Sequence, residues 1–386
     1  FRIDFFDGHP ALLEKNVSTH TSGLSKATRR APAKPPETAL QGRRDLIRQI
    51  EAARGTQLVC YVTSTRPGLE VAMAQDVIRQ IYPHLEKIKA SARHGLPKLD
   101  LFIYSNGGDT TVPWRLVSLL REYTLELSVL VPFRAFSAAT LTALGANKIV
   151  MHPMGTLGPT DPTVNGPFNP RDPVTQRNIG VSVEDVTAYL QLVKEDAGIT
   201  HEDELVQTFN LLAEQVHPLA LGNVKRILSQ SRSLATKLLS MHMNKTSDGH
   251  KIQDIVESLT SKLFYHGHPI SRVEARDQIG LESVDFASEE VAALMWELYL
   301  RYESELELLT PFNTAQDFMV ANPSFATQPA GTSLTTPLKV AKLAYVESAA
   351  ASVVSVLEYE LMGVRTPDMK TAVSLLQKRT GWQEEF

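Results

Sequence analysis

The sequence predicts an α/β fold in which a parallel β-sheet with crossover helices is followed by a C-terminal helical and β-hairpin extension. Short apolar runs, among them Leu58–Thr63, Leu101–Tyr104 and Leu127–Val131, have the composition of strands that are buried on both faces of such a sheet. Longer segments with helical periodicity alternate with these runs, as crossovers between parallel strands require. No internal repeat is present, so a single sheet accounts for the alternation.

Helices are predicted between the apolar runs. The first helix has Leu46, Ile47 and Ile50 at helical spacing and ends before the first strand. The segment Leu69–Arg93 predicts a crossover helix that Pro83 should kink or interrupt, because proline lacks the backbone donor. Further crossover and capping helices follow, and their apolar faces should cover the sheet.

The composition along the chain divides it into four parts. A polar, basic and proline-rich stretch precedes the first helix, and a stretch rich in Pro, Thr and Ser follows residue 310. Beyond it, Leu338–Tyr345 and Ala351–Val364 alternate as a β-hairpin does, and Thr371–Arg379 is interpreted as a final short helix. The predicted parts are an N-terminal arm (1–42), a core domain (43–285), an amphipathic helix (286–309) and a linker with a C-terminal α+β extension (310–386).

The overall composition excludes several classes of protein. With 43% hydrophobic and 21% charged residues the chain can bury a large core, and its formal charge of −4 offers no general field for nucleic acid. No run of about 18 uncharged apolar residues is present, so membrane association is not evident. The single cysteine, Cys60, lies in an apolar strand and is interpreted as packing, which favours a reducing, cytoplasmic location.

Two loops that follow predicted strands have the residue types of a catalytic site. The loop Ser105–Asp109 contains Gly107 and Gly108, whose backbone N–H groups are not covered by side chains. Ser137 stands in a turn of small residues at the start of a helix. Since both loops follow strands of one parallel sheet, they should meet at its carboxyl edge. Each loop alone is also explained as a turn or a helix cap.

The combination resembles the serine dehydrogenase proteinase family within the Clp protease and crotonase superfamily, relatives of signal peptide peptidase A. The motifs that carry this resemblance are YSNGGD, VPWRLV, FSAATL and LGPTDP, with HPLALGNV and HGHPISRVEARDQIGL further on. They extend from about Arg43 to Leu281. The resemblance implies the fold given above and a serine hydrolase chemistry.

The resemblance also assigns roles to residues. Ser137 is the nucleophile, and the backbone N–H groups of Gly107 or Gly108 and of Ala138 are the oxyanion donors. In the serine dehydrogenase proteinase family the order along the chain is Ser, Asp, His, which places the orienting carboxylate at Asp161 and the general base at His266. A triad is defined by geometry, so the exchange relative to the Clp order is chemically acceptable.

Three alternative bases remain open. His268 is two residues from His266, and a short loop leaves the choice between them undecided. His217 precedes Pro218 at a helix start and is interpreted as a cap or as part of the pocket lining. Lys194 lies at a dyad-like distance after Ser137, but the neighbouring acidic residues favour a solvated ion pair over a desolvated base. No third ligand supports a metal site at the two histidines.

The sequence therefore predicts a serine endopeptidase that cleaves a peptide or protein substrate through an acyl-enzyme on Ser137. It needs no cofactor and, as a single chain, no ATP. A homo-oligomer is expected, with the amphipathic helix and the C-terminal hairpin burying apolar faces between subunits. The alternative functions are a non-catalytic scaffold or assembly module of the same fold and a crotonase-like enzyme acting on acyl-CoA thioesters.

Overall fold

The computed structural model describes residues 39–92, 97–160, 163–164, 166–173, 178–262 and 268–386. The α-helices are α1 (Ala39–Arg54), α2 (Val77–Ser91), α3 (Val112–Arg121), α4 (Ala138–Leu144), α5 (Val183–Gln191), α6 (Glu202–Gln215), α7 (Pro218–Leu239), α8 (Gly249–Glu257), α9 (Glu289–Glu305) and α10 (Thr314–Ala321). Short π-helical segments occupy Leu192–Asp196, Ser258–Lys262 and Glu274–Gln278, and a 3-10 helix occupies Pro323–Thr327.

Among the described residues, the strands of three or more residues form the main sheet, and the two-residue strands pair with one another in three small sheets. In chain order they are β1 (Gln57–Thr63), β2 (Thr65–Arg66), β3 (Leu69–Glu70), β4 (Leu99–Tyr104), β5 (Leu127–Val131), β6 (Arg134–Ala135), β7 (Lys148–Met151), β8 (Thr156–Leu157), β9 (Thr163–Val164), β10 (Val181–Ser182), β11 (Ile270–Ser271), β12 (Val284–Phe286), β13 (Ser333–Thr335), β14 (Lys339–Ser348), β15 (Ala351–Arg365) and β16 (Thr371–Glu384).

The main sheet has a parallel half and an antiparallel half. Its strand order is β12-β7-β5-β4-β1-β14-β15-β13, and β16 also pairs with β15. Neighbouring strands are parallel from β12 to β1 and antiparallel from β1 onward. The predicted parallel sheet with crossover helices is therefore confirmed, and so is the C-terminal hairpin, which consists of β14 and β15.

The two faces of the parallel half bury two different cores, because side chains alternate along a strand. On strand β1, Val59 and Tyr61 face a large core that includes residues of α2, α3, α4, α7 and α8. Leu58, Cys60 and Val62 face a second core that includes residues of α1 and α9. Both faces are thus covered, which explains the uninterrupted apolar runs in the sequence.

The C-terminal region is part of the main sheet and does not form a separate extension. Strand β14 pairs directly with β1, and residues 38–386 form one compact unit. The predicted final helix over Thr371–Arg379 is wrong, because this segment is the strand β16, which pairs with β15 along most of its length. Pairing with an adjacent strand overrides the weak local preference of such a short segment.

The amphipathic helix is buried within the chain and not left for a neighbouring subunit. Its apolar face, including Met295, Leu298 and Tyr302, packs in the second core beside α1. The helix α9 begins at Glu289, and Val284–Phe286 before it forms strand β12, so the predicted boundary at residue 285 falls inside a strand. The apolar face of α9, which was expected to contact a second subunit, is therefore already buried within the chain. The homo-oligomer itself stays a prediction.

Two details near the first crossover also differ from the prediction. Leu69–Glu70 forms the short strand β3, and the crossover helix α2 begins only at Val77. Pro83 lies within this helix, which continues to Ser91 without interruption. No helix in the described residues is long and apolar enough to cross a membrane.

A buried ion network attaches the C-terminal strands to the helices of the second core. The side chains of Arg43 on α1 and Glu347 on β14 are both fully buried, and Arg43 Nε lies 2.7 Å from Glu347 Oε2. Glu385 also accepts a hydrogen bond from Arg43, and Tyr302 donates its hydroxyl to Glu347 at 2.8 Å. The Arg43 guanidinium lies over the ring of Tyr345, 4.6 Å from its centroid. This network fixes the antiparallel half of the sheet to the parallel half.

Candidate active site

The two loops singled out in the sequence lie against each other at the carboxyl ends of β4 and β5. Ser105 forms a parallel bridge with Ala135, in which Ser105 N–H donates to Arg134 O at 3.1 Å and Phe136 N–H donates to Ser105 O at 3.0 Å. A Cβ atom placed on Gly107 would lie 2.7 Å from Ser137 Cβ, closer than real contacts permit. Only glycine therefore allows this close approach of the first loop to the serine.

Ser137 has a strained backbone. Its φ is 52° and its ψ is −114°, a region that L-amino acids rarely occupy, and its side chain does not cap the helix α4 that follows. The interpretation of Ser137 as a simple helix N-cap is therefore not supported. The side chain is partly exposed, and within the described residues its hydroxyl has no hydrogen bond. Such strain costs of the order of 1–3 kcal/mol and is characteristic of functional sites.

The hydrogen bonds of the glycine loop distinguish the two glycines. Gly107 N–H donates to the hydroxyl of Ser105 at 3.0 Å, and Ser105 is fully buried. The neighbouring bridge to Met73 uses Gly107 O and Asp109 N–H, so the N–H group of Gly108 takes no part in it. Ala138 N–H lies in the first turn of α4, where backbone donors have no intrahelical acceptor. The backbone N–H groups of Gly108 and Ala138 are thus the two candidate donors of an oxyanion hole.

A cavity of about 540 Å³ opens at this point. Ser137, Gly108 and Ile227 of α7 line it, together with Val71 and Ala72 of the segment after β3. This segment is fixed to the glycine loop, because Met73 N–H donates to Gly107 O at 2.7 Å. The partly exposed serine hydroxyl therefore faces a space that is large enough for several residues of an extended peptide.

A small three-stranded sheet connects the segments that carry the predicted triad. Strand β8 pairs in parallel with β6, which ends two residues before Ser137, and in antiparallel fashion with β11. In the sequence Asp161 follows β8 by four residues, and His266 precedes β11 by four. Asp161 and His266 themselves lie outside the described residues, so their assignment stays a prediction.

His268, the alternative to His266, pairs with a carboxylate in its own segment. Its Nε2 lies 2.8 Å from Glu274 Oε1, and the imidazole is partly exposed. The sequence interpretation did not include Glu274 as a partner. The six-residue spacing of His268 and Glu274 in HPISRVE could have indicated this pair. Ser271 lies between the two residues and closes the turn by accepting a hydrogen bond from Glu274 N–H.

The other two alternative bases are placed away from such a role. His217 is exposed and caps α7, accepting a hydrogen bond from Leu219 N–H at Nδ1, while its ring stacks on Phe168 at 5.0 Å between centroids. The side chain of Lys194 is exposed in the π-helical segment after α5, and an exposed amine keeps its hydration. Neither residue lines the cavity at Ser137 as far as the described residues define it.

A metal centre and a reactive thiol each have structural requirements with which the described residues can be compared. The described residues contain no group of three or more His, Cys, Asp or Glu side chains arranged to hold a metal ion. Cys60 is completely buried in β1, and this burial raises the pKa of its thiol well above the usual value. It packs in the second core, as the sequence predicts.

Buried hydroxyl groups hold the loops of the site in place, and the sequence interpretation missed them. Thr140 Oγ1 lies 2.7 Å from Ala135 O and accepts a hydrogen bond from Gly158 N–H, so it joins the serine turn to the LGPTDP loop. Thr63 at the end of β1 donates to Ser105 Oγ at 2.8 Å. A serine or threonine at a strand end carries no distinctive sequence signal, because its role depends on which loop packs beside it.

The chain has an α/β fold in which two loops meet at the carboxyl edge of a parallel sheet, with Ser137 in a strained turn at that edge. Residues 31–217 match the model of the family described as ClpP-like SDH-type serine proteinase. The resemblance indicated by the sequence motifs is thereby confirmed over this segment.

The chain is similar to two curated relatives and to solved structures. Two uncharacterized proteins of Methanocaldococcus jannaschii are 26% identical over 201 residues, which cover 52% of this chain, and 25% identical over 120 residues, which cover 31%. These alignments span 58% and 41% of the relatives' own lengths. A membrane-bound stomatin-specific protease, solved as a mutant with a substrate peptide, aligns with 60% of this chain and 76% of its own at 13% identity and a TM-score of 0.35.

Proposed function

We propose that this protein is a serine peptidase that cleaves peptide bonds through an acyl-enzyme on Ser137. The observation that carries the proposal is the strained backbone of Ser137, which has a φ of 52°. The loop that contains Gly107 approaches Ser137 so closely that any side chain at position 107 would clash with it. A strained serine turn between a strand and a helix presents its hydroxyl at the edge of the sheet, as in other serine hydrolases. The match of residues 31–217 to a serine proteinase family supports this chemistry.

In the proposed reaction, the Ser137 hydroxyl attacks the carbonyl carbon of the scissile bond and gives its proton to a base. The negative charge that develops on the carbonyl oxygen is stabilised by the N–H groups of Gly108 and Ala138. The protonated base then gives its proton to the leaving amine, and water releases the acyl group by the same route. Since Gly107 N–H is bonded to Ser105, we assign the first donor to Gly108.

The base in this proposal is His266 and the orienting carboxylate is Asp161. The pairing of β6, β8 and β11 supports the assignment, because it joins the chain segments next to Ser137, Asp161 and His266. His268 with Glu274 is the competing pair, since their contact is that of an imidazole oriented by a carboxylate. A homo-oligomer that acts on peptide or protein substrates completes the proposal.

A fluorophosphonate probe tests the nucleophile directly. We expect the purified protein to be labelled at Ser137, with loss of both labelling and peptide hydrolysis in Ser137→Ala. The matched control is Ser374→Ala on β16, an exposed serine outside the cavity. Equal peptide hydrolysis by Ser137→Ala and the parent would overturn Ser137 as the nucleophile. Absence of both labelling and hydrolysis in the parent protein would favour the scaffold function.

A further inference from the structure

The described residues that line the cavity at Ser137 include two carboxylates and no cationic side chain. Of the described residues that line it, Glu70 and Asp109 carry carboxylates and none is Lys, Arg or His. The remaining lining is apolar or neutral, including Val71, Ala72 and Ile227. The cavity therefore has a negative rim beside an apolar wall.

The two carboxylates differ in what they bind within the chain. Asp109 Oδ1 accepts hydrogen bonds from Thr111 N–H at 2.8 Å and from Thr111 Oγ1 at 2.7 Å, so this group is occupied by the start of α3. The side chain of Glu70 is exposed, and no ion pair or hydrogen bond joins it to the described residues. Arg66 on the paired strand β2 is bound to Glu307 instead. Among the described residues, no cation therefore pairs with Glu70.

The backbone holds Glu70 in a fixed relation to the serine. Val71 N–H donates to Ser64 O at 2.8 Å, and Met73 N–H donates to Gly107 O at 2.7 Å, which fixes the segment 70–73 along the glycine loop. An extended peptide advances roughly 3.3 Å per residue. Glu70 lies three residues before Met73, which bonds to the glycine loop beside Ser137. A peptide that runs along this segment with its scissile carbonyl at Ser137 would therefore pass Glu70 within about three residues of the cleaved bond.

We propose that Glu70 selects cationic substrates, so that the protein cleaves peptides carrying Lys or Arg within about three residues of the scissile bond. The inference rests on the proposed peptidase function and names the substrate class of the same site. A carboxylate that forms no ion pair with the described residues gains a partner when a basic residue binds, and attraction of opposite charges also speeds encounter. Because Glu70 is exposed, we expect a preference of only about threefold to fivefold in kcat/KM, which falls as salt rises.

The test uses a set of otherwise apolar peptides in which a single lysine, a single glutamate or a single norleucine occupies each position around the cleavage site. We expect the parent protein to prefer lysine at one position or more. Glu70→Gln should abolish this preference, measured within that variant as the ratio of kcat/KM for the lysine peptide to kcat/KM for the matching norleucine peptide. Glu70→Lys should reverse it in favour of glutamate. The matched control is Glu214→Gln, an exposed carboxylate on α6 outside the cavity, which should keep the preference of the parent.

The outcomes separate the two proposals. If the norleucine peptides are cleaved but lysine gives no advantage, or if its advantage survives in Glu70→Gln, the peptidase function stands and the role of Glu70 is wrong. If no peptide of either kind is cleaved by the parent protein, the peptidase function and the substrate preference are both overturned.

Discussion

The backbone N–H of Gly107 donates a hydrogen bond of 3.0 Å to the hydroxyl of Ser105, a fully buried residue that also accepts a hydrogen bond from Thr63. Ser105 thus binds the N–H group of Gly107 and fixes the orientation of the Asn106–Gly107 peptide unit. The next peptide unit, Gly107–Gly108, carries the N–H group of Gly108. Ser105 is therefore a positioning residue for the proposed oxyanion donor at Gly108.

Ser105→Ala should lower kcat more than it raises KM. Removing the hydroxyl leaves Gly107 N–H without its acceptor, which costs about 1–3 kcal/mol of stability. The proposed oxyanion donor, Gly108 N–H, would then be held less firmly, and kcat should fall by about tenfold or more. Steady-state kinetics on a peptide substrate checks this result. The control is Ser128→Ala, a buried serine on β5, and an equal loss of kcat in that variant would contradict the positioning role.

The strain at Ser137 predicts opposite effects of two substitutions on stability and activity. Ser137→Gly should unfold with a free energy about 1 kcal/mol higher than Ser137→Ala, because glycine adopts a φ of 52° without the steric cost. Both variants should be inactive. Urea denaturation of the two variants measures the difference. A less stable Ser137→Gly would show that the backbone at this position is not strained.

The identity of the base is decided by four single substitutions. His266→Asn should lower kcat by about a thousandfold or more, and Asp161→Asn by a comparable or smaller factor, with sub-additive losses in the double variant. His268→Asn should retain most activity, as should His250→Asn, an exposed histidine on α8. If His268→Asn is the inactive variant instead, the base is His268 and its carboxylate is Glu274.

His84 on α2 predicts a loss of stability in mild acid. It is buried, its Nδ1 lies 2.8 Å from Ser348 Oγ, and burial, together with the nearby Lys87, lowers its pKa to about 4. The unfolded chain binds the proton from about pH 6.5 downward while the folded protein stays neutral, so stability falls as the pH falls from about 6.5 to about 4.

The contribution of His84 should be about 2 kcal/mol between pH 7.5 and pH 5. Urea denaturation at the two pH values should therefore show a smaller pH dependence for His84→Gln than for the parent protein. The control is His250→Gln, which replaces an exposed imidazole on α8. An unchanged pH dependence in His84→Gln would mean that this imidazole takes up its proton in the folded protein as well.

The buried pair of Arg43 and Glu347 should be costly to break. Arg43→Met should lower the free energy of unfolding by about 3–5 kcal/mol, because it leaves the buried Glu347 carboxylate without its cation. Glu347→Leu should cost less, because Glu385 still accepts a hydrogen bond from Arg43. The double variant should lose less than the sum. Arg48→Met removes the exposed pair with Asp45 and should cost less than about 1 kcal/mol. Additive losses at Arg43 and Glu347 would contradict direct coupling between them.

The amino-acid sequence alone determined the parallel half of the sheet and the two loops at its edge. Strands such as β1 and β5 are buried on both faces, so nearly every residue is apolar, and Ser105–Asp109 and Ser137 follow directly after strands. The C-terminal strand β16 was not predictable, because its burial comes from pairing with a distant strand. The apolar face of α9 was predicted correctly. The sequence pattern did not indicate that α1 packs against this face, because the two helices are far apart along the chain.

The tertiary structure decided the properties that depend on contacts between distant segments. It gave Ser137 its strained backbone, bound Gly107 to Ser105, left Glu70 without an ion pair among the described residues and put His268 beside Glu274. A sequence motif specifies which residue types stand near each other along the chain. Strain, hydrogen-bond partners and uncompensated charge arise only when loops from separate strands pack together, and residue types alone do not specify that packing.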